Sequence, residues 1–521
     1  MAPLTNTMAA LAVLLPAAVL SIAPRGKYYH LQQYLSSRSA LQGELLGKGE
    51  ESSPPPSLRF FTQRQDHFDG SNPTTWQQAY YVNDTFWKGP ESNAPVFLCV
   101  GGEGPPLTPA VVVNSVHCSN AVDWLQETGA LFFAVEHRYY GCHNTSACPV
   151  QDFKDPPTKS LHYLSSRQAL ADLAQFHSFA TKEYSLSSSN KWVSFGGSYP
   201  GMLAGWFRVK FPHLVHAAVA SSAPVHPKVE MSEYNDWVRY AYTVESVGGS
   251  EACSQNIADG HATIGTLFGS DEGRTRLASL FQLPSADWLK ERANQRDFAG
   301  EGVAYFPSQG NDPACTMAAC NIERICAIMT DDKQGDNVSR LQRVRASQSE
   351  WVEAAQKQMH KEASSGGYRD FADYWGWQTC TEFGFYQTCD VGSKCPYTQG
   401  LDLLNDQIKM CQESFNISAE TVAANVEFSN VYYGSLAPVA SRILWPNGEV
   451  DPWSTLSILK SPSEQQPTLW VKGASHHAWT HETLPSDQPS VEEARLAIRK
   501  QVTTWLDEEG GMGHFEIVSE Q

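Results

Sequence analysis

A serine, an aspartate and a histidine pair in this 521-residue chain are of the types that could run an acyl transfer. Ser198 sits in Gly196-Gly-Ser-Tyr-Pro-Gly201, and Asp451 in Pro446-Asn-Gly-Glu-Val-Asp-Pro-Trp453. His476 and His477 sit in Gly473-Ala-Ser-His-His-Ala-Trp479. A serine hydroxyl becomes a nucleophile when an imidazole takes its proton and a carboxylate holds that imidazole in the required tautomer. Serine, acid, histidine is the chain order expected where the serine stands on a turn between a strand and a helix. His476 is the first choice for the base because it directly follows the Gly-Ala-Ser turn, and His477 stays open as the alternative. The charge that develops on a substrate carbonyl needs backbone donors. The Tyr199 amide, next to the serine, is one expected donor, and the Gly102 amide, in the loop Gly101-Gly-Glu-Gly104, is the other. That loop lacks the Gly-Lys-Ser/Thr ending and the GxGxxG spacing, which argues against phosphate binding.

These side chains can meet only if distant elements deliver them to one edge of a sheet. Lys191-Trp-Val-Ser-Phe195 reads as a strand entering Gly196, and Met202 to Lys210 as the helix behind the turn. Such a turn strains the serine backbone and lifts its hydroxyl clear of the sheet, and small neighbours let adjacent strands approach. The N-terminal amides of the helix then face the site. The familiar pattern is Gly-x-Ser-x-Gly; here Pro200 takes the last position and glycine comes one later. Proline in a first helical turn forfeits no hydrogen bond. Further apolar runs occupy 95–100, 130–135, 217–220, 441–445 and 468–472, and Leu170, Leu173, Phe176 and Phe179 share one helical face. Continuous apolar strands between amphipathic helices predict an α/β fold with a mostly parallel sheet buried on both faces. Ligands of such sheets bind at the carboxyl ends of the strands, where all three loops can converge.

Composition narrows the rest. With 41% hydrophobic residues, 15 Trp, 20 Tyr and 23 Phe, low-complexity disorder is excluded. A net charge of −18 argues against electrostatic nucleic-acid binding and against a basic membrane-surface binder. The apolar run from Met8 to Leu20 is shorter than the ~20 residues of a membrane span and predicts a signal peptide over residues 1–23. Residues 24–57, with their Ser-Ser-Pro-Pro-Pro stretch, predict a propeptide or flexible arm. The expected division is then an α/β part over 58–225, a helical cap insertion over 226–400 and a second α/β part over 401–521. Twelve cysteines with no Cys-x-x-Cys pair favour disulfides in an oxidising compartment over a zinc or redox site. Cys142 and Cys148 form the most plausible local pair. Acceptor sequons at Asn83, Asn144, Asn337 and Asn416 add to a secretory reading. No cofactor and no metal ligand set are implied.

At this point the residues resemble a known family: the serine peptidases comprising lysosomal Pro-Xaa carboxypeptidase, dipeptidyl peptidase II and thymus-specific serine protease. The matching segments are Gln65-Asp-His-Phe68, Gly101-Gly-Glu-Gly104, Glu136-His-Arg-Tyr-Tyr-Gly141, Gly196-Gly-Ser-Tyr199, Asn447-Gly-x-x-Asp-Pro-Trp453 and the Gly-Ala-Ser-His turn. The resemblance covers about residues 58 to 508, and the segment from Trp377 to Tyr386 looks most like the thymus-specific branch. The resemblance implies an α/β-hydrolase fold with a helical cap, a secreted or lysosomal/vesicular location and a triad at Ser198, Asp451 and His476. It also implies an exopeptidase acting beside proline, with an apolar pocket for which Trp453 is a candidate wall. Glu103 is a candidate to receive a substrate's free amine; the alternatives for it are an ion pair with Arg138 or a solvated loop charge. The sequence departs from the family pattern at Pro200 and at Ala478-Trp479, where relatives often carry Leu-Asp. The expected partners are peptide substrates, with no nucleic acid and no membrane span, and a homodimer stays open. Two other readings of the same residues are an esterase or lipase and a catalytically silent extracellular binding module.

Overall fold

The computed structural model describes residues 56–104, 106–113, 118–150, 157–365 and 371–508. The expected signal peptide and nearly all of the expected arm lie outside them. Among the described residues ten strands form in chain order: β1 (Arg59–Arg64), β2 (Thr75–Asn83), β3 (Val96–Val100), β4 (Leu131–Val135), β5 (Trp192–Gly197), β6 (Ala217–Ser221), β7 (Lys228–Glu230), β8 (Gly384–Tyr386), β9 (Ile443–Gly448) and β10 (Thr468–Val471). The apolar runs at 95–100, 130–135, 191–195, 217–220, 441–445 and 468–472 give rise to strands, as short continuous apolar segments suit strands buried on both faces. Eight of them order as β1-β2-β4-β3-β5-β6-β9-β10. The β1–β2 and β2–β4 pairs are antiparallel and the others parallel. This is an α/β-hydrolase fold.

Side chains of the central strands alternate between two cores. Leu98, Val100, Phe133 and Val135 face Leu170, Leu173 and Phe176 of the Ser166–Glu183 helix and Met202 and Leu203 of the Tyr199–Lys210 helix. Phe97, Cys99, Phe132 and Ala134 face the opposite way, in the core that holds Val491, Ile498 and Trp505 of the Pro489–Asp507 helix. Between β6 and β9 the chain leaves the sheet for a run of helices that starts at Ser232–Ala241. The short parallel pair β7–β8 ties the beginning of this excursion to its later part. The return to the α/β layer is expected near residue 401, yet helices Leu404–Phe415 and Ala419–Tyr433 still precede β9.

All twelve cysteines pair: 99 with 118, 142 with 148, 253 with 326, 315 with 320, 380 with 411 and 389 with 395. Six disulfides belong to an oxidising compartment, and so to the secretory route. Among the described residues no helix is long and apolar enough to cross a membrane. Asn144 and Asn416 are exposed, whereas Asn83 spends its side-chain amide on the Val112 carbonyl at 2.7 Å and Asn337 is half-buried.

Candidate active site

Ser198 lies between β5 and the Tyr199–Lys210 helix at φ 62° and ψ −131°. A non-glycine residue pays roughly 1–3 kcal/mol to sit in so sparse a region, and such strain gathers at functional sites. Its amide donates to the Ser221 carbonyl on β6 at 3.0 Å, and its carbonyl accepts from the Met202 amide at 2.9 Å. Two glycines make room for this turn. A Cβ on Gly201 would stand 2.7 Å from the Ser221 carbonyl oxygen, and one on Gly102 would stand 2.1 Å from Cγ of Pro200. The departure from the usual pattern thus has a steric account. Gly201 provides the close approach to β6, and Pro200 fits because the loop facing it carries no side chain at 102. Tyr199 opens the helix, where an amide has no intrahelical acceptor. Gly102 faces the same turn.

Asp451 follows β9 and His476 follows β10, both at the carboxyl edge that also carries Ser198. His476 Nδ1 donates to Asp451 Oδ2 at 2.8 Å, and Asp451 Oδ1 accepts from the Trp453 amide at 3.0 Å. Both side chains are buried. An ionised carboxylate only accepts, so Nδ1 carries the proton and Nε2 keeps its lone pair. That Nε2 is buried without a hydrogen-bond partner. An unpaired buried polar atom is costly, and the hydrogen bond expected from the Ser198 hydroxyl is not formed. His477 is differently employed. Its amide donates to Ser222 Oγ at 2.9 Å, its Nδ1 lies 3.0 Å from Thr480 Oγ1, and its ring packs on Gly197.

One residue that no sequence signal marks connects these loops. The Gln309 carbonyl accepts from the His476 amide at 3.0 Å, and its side-chain Oε1 accepts from Trp453 Nε1 at 2.8 Å and from the Tyr234 hydroxyl at 2.9 Å. Its neighbour Ser308 donates to the Val450 carbonyl at 2.7 Å. Gln309 sits in an irregular stretch of the helical excursion, where neither periodicity nor motif points to it. Trp453 is thereby held 6.3 Å from the His476 ring, edge-on to Tyr234 and Phe385. Beside His476 a cavity of about 130 Å³ opens between Gln309, Asn311 and Asp312 on one wall and His477 and His481 on the other.

Glu103 is partly buried in the Gly-rich loop. Burial pushes its carboxyl up to about 7, against the pull of its own backbone amide and of the His476 charge. Its charge also reaches Tyr140 and Tyr199, so it belongs to the same neighbourhood. Arg138 is committed elsewhere: its Nε and Nη2 each reach the Asp172 carboxylate at 2.7 Å. The expected alternative of a Glu103–Arg138 pair is therefore not formed. Among the described residues no cluster of His, Cys, Asp and Glu is arranged to hold a metal ion.

A model of the family described as serine carboxypeptidase S28 matches residues 63–498. The chain belongs to that family. It is similar to the thymus-specific serine protease of Homo sapiens, 34% identical over 502 residues that cover 92% of this chain and 91% of the relative. The Mus musculus protein of the same name is 33% identical and covers 92% of each chain. The lysosomal Pro-X carboxypeptidase of Mus musculus is 26% identical over 463 residues, 86% of this chain and 89% of the relative. This S28 member is a serine peptidase, and peptides are its substrate class.

Proposed function

We propose that this S28 peptidase is an exopeptidase that cleaves short peptides through an acyl-enzyme on Ser198, with His476 as base and Asp451 as its partner. The observation that carries the reading is the buried Asp451–His476 pair, whose Nε2 has a lone pair and no partner. Ser198 Oγ attacks the peptide carbonyl as its proton passes to Nε2. The amides of Tyr199 and Gly102 receive the oxyanion, and the imidazolium then protonates the leaving amine. Water repeats the sequence on the acyl-enzyme and frees Ser198.

Restriction to chain ends is supported by the helical excursion, which brings Gln309 against the base and Gln309 and Phe385 against Trp453. Trp453, 6.3 Å from the His476 ring and edge-on to Phe385, supports an apolar wall beside the base of the kind a prolyl ring meets. The name of the Pro-X relative supports the same specificity. Glu103, near His476 and not bound to Arg138, supports recognition of a substrate's amino terminus. Removal from the carboxyl terminus is the second reading, favoured by the carboxypeptidase name of the relative.

Mass spectrometry of fragments from proline-containing peptides, with either end free or blocked, separates the two at about pH 5 and pH 7. Loss of cleavage on amino-terminal acetylation supports the first reading, and loss on carboxyl-terminal amidation the second. Cleavage of doubly blocked peptides would refute an exopeptidase. Turnover of glycerol esters in place of peptides would favour an esterase, and activity surviving Ser198→Ala would end the acyl-enzyme proposal.

A further inference from the structure

Tyr199 serves the site with its amide, yet its side chain runs the other way, into a closed set of hydrogen bonds that no step of hydrolysis consumes. The hydroxyl lies 2.9 Å from His137 Nε2 and accepts from Gln378 Nε2 at 3.0 Å. His137 Nδ1 lies 2.7 Å from the Arg138 carbonyl, which can only accept. Nδ1 therefore carries the proton, and Nε2 must accept from the Tyr199 hydroxyl. Burial keeps this imidazole neutral, its pKa lowered to about 4. Gln378 Oε1 accepts from the Tyr140 hydroxyl at 2.7 Å, and Nε2 donates a second time, to Glu382 Oε2 at 3.0 Å. Glu382 also accepts from the Ser166 amide at 3.0 Å and from its hydroxyl at 2.6 Å. The Ser166 hydroxyl in turn lies 2.7 Å from that of Tyr433.

All of these side chains are buried. Glu382 Oε2, on a carboxyl whose pKa burial pushes up, accepts from Gln378 Nε2, which orients the Gln378 amide and so the donor that meets Tyr199. Gln378 and Glu382 flank and enter a π-helical turn, Thr379–Phe383, a rare local geometry that often marks functional segments. Phe383 and Trp375 close on the Tyr199 ring at 5.5 and 5.6 Å between centroids.

The strain at Ser198 explains why such an anchor is needed. The ψ of −131° at Ser198 sets the plane of the 198–199 peptide, and hence the direction of the Tyr199 N–H. Relaxing that strain would rotate this peptide and turn the amide away from the substrate oxygen. Tyr199 Cα terminates the same peptide, so a pinned Tyr199 side chain resists the rotation. We propose that Gln378 and Glu382 are positioning residues for acyl transfer. Through the Tyr199 hydroxyl they hold the amide that stabilises the oxyanion, which makes the helical excursion part of the chemical step as well as of substrate access. This rests on the reading of Ser198 as nucleophile and of the Tyr199 amide as donor.

The test compares Gln378→Ala, Glu382→Gln and the isosteric Tyr199→Phe with the parent protein on a proline-containing peptide. A peptidyl boronic acid, whose tetrahedral serine adduct resembles the intermediate, is set against the product peptide, which makes no oxyanion. Removing one oxyanion donor costs ~100–1,000-fold in kcat, so a misdirected one is expected to cost about 10–100-fold. KM and product affinity should stay within about twofold, and boronate affinity should fall with kcat. Loss of KM and product affinity in step with kcat would overturn the proposal, as would parental kcat in folded variants. Should Gln378→Ala fail to fold, Tyr199→Phe decides by the same two ligands. If the parent does not bind the boronate, or Ser198→Ala stays active, the nucleophile reading itself has failed, a different signature from intact boronate binding in the three variants.

Discussion

The two sides of the candidate site are held by different physics. On the sheet side, Ser198 and the loop opposite it are placed by contacts so close that a Cβ on Gly201 would meet the Ser221 carbonyl and one on Gly102 the Pro200 ring. On the side of the helical excursion, Gln309, Gln378 and Glu382 act through side-chain hydrogen bonds to named partners. The first kind of order fails when an atom is added, and the second when one is removed. Close-packed backbone does not yield, whereas a buried polar network loses its direction with one deleted partner.

The sheet side breaks hardest at its reacting groups. Ser198→Ala or His476→Ala should lower kcat by ~10⁴–10⁶-fold with the fold retained, as removing a member of a triad does. His477→Ala should lower thermal stability through the loss of contacts to Ser222, Thr480 and Gly197. It should lower kcat less than His476→Ala, although the two rings pack at 4.5 Å between centroids. Steady-state kinetics with a melting curve on all three checks this; a folded His477→Ala variant as inactive as His476→Ala would exchange their roles.

Next comes an added atom. Gly102→Ala puts a methyl 2.1 and 2.5 Å from Cγ and Cδ of Pro200 but 3.5 Å from its Cβ. Displacement of about 1 Å near the reacting atoms costs on the order of 100-fold, which is the loss in kcat/KM expected here. Pro200→Ala in the same chain removes the two offending carbons and keeps the tolerable one, so the double variant should recover most of the activity. Failure of the recovery would mean that Gly102 is needed for something other than room beside Pro200.

The smallest effect is at Glu103, where the two kinds of order meet. Its folded carboxyl sits at about 7 against an ordinary 4.5, so the folded chain binds the proton more tightly. Stability is therefore lost as pH rises from about 4.5 through about 7, and the deficit is complete above that window. Glu103→Gln should gain about 1–3 kcal/mol at pH 8 and nothing at pH 4. Each tenfold gain in proton affinity on folding is worth ~1.4 kcal/mol, and partial exposure reduces the total. The same change should raise KM about tenfold for peptides with a free amino terminus, the size of one lost hydrogen bond to a charged group. Melting curves at the two pH values and KM for free and acetylated peptides test both halves. An unchanged ratio of the two KM values would remove Glu103 from substrate recognition.

Much of the molecule can be read along the chain because much of it depends on neighbours in sequence. An apolar run such as Leu131–Val135 has few places to go but a buried strand, and a glycine-flanked serine between a strand and a helix is a turn by local geometry alone. The order of Ser198, Asp451 and His476 after such strands implies their meeting at one sheet edge. Along the chain, only its place after the turn favours His476 over His477; its 2.8 Å contact with Asp451 is a through-space fact. Gln309 carries no signal in the sequence, and Gln378 and Glu382 fall in the 377–386 segment that carries the family resemblance with no sign there of what they touch. Gln378 lies 179 positions from the Tyr199 hydroxyl it meets, and Gln309 lies 144 from Trp453. An amide side chain is equally at home on any polar surface, so its type says nothing of its partner. Only packing of the helical excursion onto the sheet excludes water from these groups, and with water gone each donor must find the one acceptor within reach.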